Sequence, residues 1–502
     1  MNNLAFRRQY LLTNIPVEKI DGWNYYEIPG MGGNLHLYCH PDLEVTKEQQ
    51  DGRTLVLLGY VLDPYNPDLS NSGIIGKLVK LSNLEELFKE TAKLCGRFVM
   101  LYTSDKGSYI FSDATGFREI YYSFGTDKMF FGSTPDLINK FLNAEKDNDP
   151  AILEFLESPE YKQATKWMGT RTLFKGIYHL LPNNYIDLVS KSYHRYWPNK
   201  KRQPISLKEG ARIMAEILKG TMAAAAKRYT LHQAITSGYD TRLLLAASKD
   251  YLKQIKFFVM KASELDENKS DTVWAKEIAA KYNLDFEVIE AYKLTVDPAF
   301  QETFYKNNIL ARDRFLKFFY WTYTRKYDNT YWVTGTFGNE ILRISTPYSE
   351  KKSTGYMITQ RFNYSKYSYA VKSIDEWLKD AEKACHDNGY NVMNLFYWEQ
   401  YIGNWGNLAS SEQNIIRDEI RPFNCHKLIE TYMALHDKYR YRDNPEGHKA
   451  IIDVLWKELN TMPYFHPNPR IDRTKKFFRF FGLERILDNF SYWIRDKFHY
   501  KK

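Results

Sequence analysis

The densest chemistry in this sequence lies in Thr236-Ser237-Gly238-Tyr239-Asp240-Thr241-Arg242, between the apolar run LHQAI and the helical run LLLAAS. A strand that turns into a helix through a glycine aims unpaired backbone N–H groups and the positive end of the helix dipole at one point, which favours an anion there. Ser237 and Thr241 add hydroxyls, Asp240 offers a carboxylate to Mg²⁺, and Arg242 adds positive charge. No Gly-Lys-Ser/Thr follows, so this is not a Walker A loop. The plainer alternative is an ordinary Ser-Gly turn that caps a helix.

A second polar segment, Gly335-Thr336-Phe337-Gly338-Asn339-Glu340, follows the short run YWVT. It offers two glycines, a carboxylate at Glu340 and a neutral oxygen ligand at Asn339. His436 and His448 have no carboxylate or cysteine partner at metal-ligand spacing, and no role is assigned to them.

These segments need elements to hold them. Beyond Pro204 helical stretches (LKEGARIMAEILKGTMAAAAKRY, TRLLLAAS, DTVWAKEIAAKY) alternate with short apolar runs (LHQAIT, IKFFVM, FEVIE), the grammar of βαβ units and a parallel sheet covered on both faces. YWVT at 331–334 is expected to rejoin that sheet, and residues 366–460 read as helical. From Gly32 to about Leu142 the pattern is instead alternating runs cut by turns, such as RTLVLLGYVL and RFVMLYTS, with a helix near LEELFKETAKL. Asp105-Lys106-Gly107 signals a hairpin with φ > 0 at its turn. Residues 146–204, rich in Asp, Pro and Asn clusters, read as a connection.

The 502 residues are enough for more than one core. Of the formal net charge of +9, most comes from residues 470–502, with ten Lys or Arg against four Asp or Glu, so the body of the chain carries no nucleic-acid signature. Cys39, Cys95, Cys385 and Cys425 are widely spaced, which argues against disulfides and zinc and for a reducing cytoplasm. Neither a signal peptide nor a membrane span is expected. From Leu483 to Phe498 apolar residues recur at three- and four-residue steps among Lys and Arg. This predicts an amphipathic helix that docks on the protein's own body, on a partner or on an anionic membrane surface.

Ser237-Gly238-Tyr239-Asp240-Thr241 resembles the Ser-Gly-Gly-x-Asp-Ser/Thr pyrophosphate loop of the N-type ATP pyrophosphatases, one residue shorter between Ser and Asp. Gly335–Glu340 is similar to the Gly-Asp/Glu-Gly-Gly/Ser-Asp-Glu segment of their asparagine synthetase and β-lactam synthetase branch, and Arg421-Pro422-Phe423 to its Glu-x-Arg-x-Pro-Phe-Leu-Asp stretch. Before residue 145, LCGRFVMLYTSDKGSYIFSDATGFREIYYSF resembles a class II glutaminase domain.

The resemblance implies α/β and α+β architecture in two domains. Residues 1–145 would form an Ntn-hydrolase-like, β-rich αββα domain and 146–204 the connection. Residues 205–465 would form a parallel-sheet ATP-pyrophosphatase domain (adenine nucleotide α-hydrolase-like, HUP) with a helical C-terminal part, and 466–502 a basic aromatic helix. It implies ATP and Mg²⁺ as cofactors, with Ser237, Gly238, Tyr239, Asp240, Thr241, Arg242, Gly335 and Gly338 around the phosphates and Met260 near adenine. Asp240 and Asn339 would hold the metal, and Glu340 and Lys449 would be catalytic, Lys449 having a solvated surface lysine as its alternative reading.

Glutaminases of this class attack with a cysteine that becomes the first residue after Met removal. Here that place holds Asn2, and Cys39 reads as a small buried residue. The resemblance therefore implies a ligase that makes an amide through an acyl-adenylate, from a small carboxylate and an amine or ammonia not drawn from glutamine by this chain, with a homodimer as one assembly. The alternative is a nucleotide-binding pseudoenzyme or scaffold, which Tyr239, Phe337 and Asn339 favour.

Overall fold

The apolar runs of the first half form two six-stranded antiparallel sheets. In the first the strands lie side by side in the order Tyr178–His179, Tyr121–Phe124, Met129–Gly132, Tyr10–Thr13, Gly33–Cys39 and Asn24–Gly30. In the second the order is Ser192–Arg195, Asn184–Asp187, Gly107–Ser112, Cys95–Ser104, Arg53–Leu62 and Val45–Gln50. The structure is a computed structural model and describes residues 4–30, 32–268, 270–327, 329–344, 353–442 and 445–462.

Side-chain alternation sets the layers. Val56, Leu58, Val99 and Leu101 point into the core shared with Leu12, Leu35 and Leu37 of the other sheet. Leu55, Leu57 and Met100 point the other way, onto the helices Asn71–Leu78 and Leu84–Thr91. The helix Pro135–Leu142 covers the far side of the first sheet through Leu137 and Ile138. The order is helix, sheet, sheet, helix. Cys39 is fully buried in its strand, as its reading requires.

The stretch read as a connection, 146–204, does more than connect. Its strands at 178–179, 184–187 and 192–195 extend both sheets, and two short helices, Pro150–Glu157 and Pro159–Ala164, precede them. The Asp, Pro and Asn clusters that suggested a linker are helix caps and hairpin turns: Asp149 and Ser158 accept from Ala151 and Tyr161 N–H. The hairpin at Asp105-Lys106 forms, though no residue of its turn adopts positive φ.

Past residue 204 a five-stranded parallel sheet runs Asp285–Ile289, Ile255–Met260, Thr230–Ala234, Thr330–Val333, Glu419–Ile420. The expected strand at 331–334 does join it, but the edge strand 419–420 lies inside the stretch read as helical, where π-helical residues Tyr397–Gly406 also interrupt the α-helices. The long helix Leu207–Arg228 starts at Ser206, which accepts from Glu209 N–H. Together with Tyr239–Ala247 and Glu446–Trp456 it covers one face of the sheet, and an aromatic cluster around Phe258, Phe318 and Trp332 covers the other. No helix among the described residues is long and apolar enough to cross a membrane. The amphipathic helix read at 483–498, and Asn2, lie outside the described residues.

The two halves meet through buried charge. Asp418, just before the edge strand, accepts from Arg97 Nη1 at 2.7 Å and Arg118 Nη2 at 2.9 Å, both arginines being almost inaccessible. Nearby, Asn424 donates to Gly96 O and Asp113 Oδ1 and accepts from Thr115. Burial alone would raise the Asp418 pKa, but Arg97 and Arg118 overcome it and hold the carboxyl below its usual range. A carboxylate whose folded pKa is depressed stabilises the fold above its unfolded value near 4, and that contribution disappears as pH falls through the folded value. Asp418→Asn is expected to lose about 3–5 kcal/mol at pH 7 in urea unfolding, because two buried guanidiniums lose their counter-charge. The gap between the variant and wild type should narrow steadily between about pH 4 and pH 2; a constant gap would show that the charge is not what matters.

Candidate functional site

Strand order decides where a site can form. From Thr230–Ala234 the chain crosses to Ile255–Met260 on one side, while Thr330–Val333 pairs on the other, so the loops after these strands diverge at their carboxyl ends. That divergence is where open parallel sheets present a crevice to ligands. The two polar segments found in the sequence, 236–242 and 335–340, are those two loops.

They are held together by missing side chains. A Cβ on Gly335 would stand 3.0 Å from Asp240 Cβ, and one on Gly338 would stand 2.8 Å from Asp240 Cγ and 2.9 Å from Phe423. Gly238, the exposed N-cap of the helix Tyr239–Ala247, has no side-chain cap, and a Cβ there would make only an ordinary contact, 3.5 Å from Thr236 Oγ1. The loop is braced from within. Thr236 and Thr241 share a hydroxyl hydrogen bond at 2.8 Å, and Ser237 donates both its N–H and its hydroxyl to Asp271 Oδ1 at the start of the next helix. Ser237, expected on a phosphate, is thus engaged by the protein.

Arg242 departs from its expected role. It is fully buried, donates to Leu459 O, Met462 O and Ser237 O, and lies over Trp274. It fastens the short turn Lys457–Thr461, which follows the helix Glu446–Trp456, to the loop. Its place one turn into the helix turns the side chain inward, away from the exposed cap at Gly238.

The cations that do face the loop come from elsewhere in the chain. Arg343 Nη2 lies 3.3 Å from Asp240 Oδ2, and its guanidinium sits 5.9 Å from the Tyr239 ring centre. Lys449 Nζ stands at the same 5.9 Å over that ring. Lys449 therefore belongs to the site, half-buried, and Met260 sits at the end of the neighbouring strand against the Phe258 cluster.

His448, left without a role above, is fully buried with Nε2 3.2 Å from Asp240 Oδ1 and Nδ1 on the Tyr432 hydroxyl. Burial lowers its pKa despite the attraction of Asp240. The sequence did carry a signal, since His448 precedes Lys449 on one helix, but its partner lies some two hundred residues upstream. His436 only caps a short turn through Lys438 N–H.

Electrostatics follow from these contacts. Burial would raise the Asp240 pKa, but Arg343 and His448 outweigh it and hold the carboxyl below its usual value. Burial and then the Asp240 charge push Glu340 up. Phe337, fully buried against Phe117, adopts φ +83°, a left-handed conformation strained for a bulky residue, and the turn of π-helix Gly338–Leu342 follows it.

A magnesium ion would have to be held by Asp240, Asn339 or Glu340, and the arrangement does not fit one. Both Asp240 oxygens face basic groups, and Asn339 brings a neutral oxygen. A polyanion fits better: an uncapped helix end at an exposed glycine, with Arg343 and Lys449 flanking Tyr239.

No family model matches the chain, and no curated protein matches it. Two solved structures are similar at 9% identity: a glutamine phosphoribosylpyrophosphate amidotransferase from B. subtilis complexed with ADP and GMP, and the allosteric regulatory enzyme of purine biosynthesis. The first has a TM-score of 0.23 over 60% of this chain and 65% of that one, and the second 0.24 over 60% and 64%. The chain thus spans just under two thirds of either.

The glycine contacts separate two kinds of residue. Gly338→Ala is expected to cost about 1–3 kcal/mol in denaturant unfolding, because its Cβ would stand under 3.0 Å from the ion-paired Asp240 carboxyl and the buried Phe423 ring. Gly238→Ala, with negative φ and only an ordinary contact to Thr236 Oγ1, should cost under about 1 kcal/mol; equal losses at both positions would contradict the packing described.

Proposed function

We propose that this chain is an AMP-forming carbon–nitrogen ligase of the asparagine synthetase type, with an N-terminal glutaminase-like domain that does not hydrolyse glutamine. The observation that carries the reading is the convergence of both sequence motifs, through Gly335 and Gly338 on Asp240, at the point where strand order diverges. The domains in this reading are the layered β-rich half and the parallel-sheet half, and the small carboxylate, the amine and the nucleotide are its partners.

A carboxylate does not condense with an amine unaided. In the proposed reaction a carboxylate oxygen attacks the α-phosphorus of ATP and pyrophosphate departs with the bonding pair. The amine then adds to the acyl carbon, AMP leaves, and the amine's proton passes to solvent. Backbone N–H groups in the first turn of the helix Tyr239–Ala247 and the cations Arg343 and Lys449 would bear the charge that gathers on the departing pyrophosphate. Asp240, backed by His448, would hold Arg343 in position rather than touch the reacting atoms.

A second reading, a nucleotide-binding protein without turnover, is favoured by the Arg343–Asp240 ion pair, which occupies the loop carboxylate. Calorimetry with ATP, followed by ATP–pyrophosphate exchange across a panel of carboxylic acids, separates the two. The ligase reading expects exchange that depends on one acid and falls by about 100-fold or more in Arg343→Ala. Binding without exchange for any acid would leave the second reading, and no ATP binding at all would sink both.

A further inference from the structure

Away from the phosphate loop, a cleft of about 350 Å³ opens between the strand Tyr178–His179 and the helix Ser368–Asn388. Its walls include Leu180, Tyr369 and Trp377, with Lys372 exposed at the rim. Two buried side chains that line it, His179 and Gln400, each end in a nitrogen without a hydrogen-bond partner, His179 Nε2 and Gln400 Nε2. Polar groups left unpaired in a buried place are costly, and a ligand or water that pairs them recovers the loss.

What those two atoms can bond to is fixed by a chain of hydrogen bonds behind them. Gly169 N–H, which can only donate, points at Gln400 Oε1 at 2.8 Å, so the free end of Gln400 is its NH₂. Gly169 O, which can only accept, takes Asn404 Nδ2 at 3.1 Å, and the same nitrogen reaches Gln400 Oε1 at 3.2 Å. Asn404 Oδ1 is therefore the atom that faces His179 Nδ1 at 3.0 Å, and the imidazole must carry its proton on Nδ1. Burial pushes the pKa of His179 down to about 4, so at neutral pH Nε2 is a bare acceptor. Gly169 makes the arrangement reachable: it has φ +83°, and a Cβ there would stand 2.8 Å from Ser373.

The free ends are thus one donor group and one acceptor, tied to the same Asn404 and set in a partly aromatic wall. We propose that this cleft binds a small molecule through a primary carboxamide, whose C=O accepts from Gln400 Nε2 while its N–H donates to His179 Nε2. A carboxylate of the same shape has no hydrogen to give His179, so the site selects amide over acid, in the way a buried polar pair rejects an analogue that leaves it unpaired.

Ligand-observed NMR titration of the full chain with nicotinamide and propionamide, against nicotinate and propionate, tests this. Saturating ATP is present throughout, to keep the probes out of the phosphate-loop crevice. The expected result is saturable binding of at least one amide, at least tenfold tighter than its acid, and lost in Gln400→Leu. Equal binding of acid and amide would overturn the proposal whether or not the variant folds. No saturable amide binding would overturn it too, and would leave the cleft as a place where water pairs the two nitrogens.

Discussion

The Asp418 carboxylate between Arg97 and Arg118 is the contact from which the rest of the arrangement hangs. Asp418 O accepts from Trp332 N–H, and Ile420 O, two residues on, accepts from Thr334 N–H, so the strand that delivers Gly335–Glu340 is fixed by the segment the two arginines grip. Three charges in one buried place are costly unless every proton has an acceptor. Here Arg97 also donates to Phe117 O and Ser410 O, and Arg118 to Arg8 O and Arg97 O. Gly59 at φ +101° permits this closeness, since a Cβ there would stand 2.2 Å from Arg97 O.

From that grip a line of contacts leads to the crevice. Arg421 lies 3.9 Å from the Phe117 ring centre and 4.7 Å from that of Phe337. Phe337 in turn holds the backbone that brings Gly338 against Asp240. A bulky residue in the left-handed region costs on the order of 1–2 kcal/mol, and burial of the whole ring offsets that. The left-handed backbone that glycine would take without strain is held here by a side chain whose ring joins the two halves.

Much of this was legible because it is local. The strand–Gly–helix loop, the parallel grammar after Pro204 and the alternation before Leu142 are periodicities and turn residues a single sequence displays, and the structure follows them. The edge strand at 419–420 was not, since a two-residue run has no period; only the pairing of Trp332 with Glu419 makes it a strand. Arg242 and Arg343 show the same limit in the site. Sequence proximity put Arg242 on the phosphates, whereas helix geometry turned it under the loop, and the cation beside Asp240 arrived from a hundred residues away.

That exchange changes what the crevice can hold. A loop whose carboxylate is open recruits a divalent cation, and the cation then recruits phosphate; the attraction is borrowed from solution. Here the carboxylate is already opposed by a resident guanidinium, burial holds the pKa of His448 down and that of Glu340 up, and Lys449 stands nearby. The charges left to act on an incoming polyanion are therefore mostly the protein's own cations and the helix end. An anion entering beside Tyr239 competes with Asp240 for Arg343, and its affinity is the difference between two ion pairs rather than the strength of one. In the proposed reaction the Asp240–Arg343 pair would set both the readiness of the site and the ease with which a phosphate leaves it.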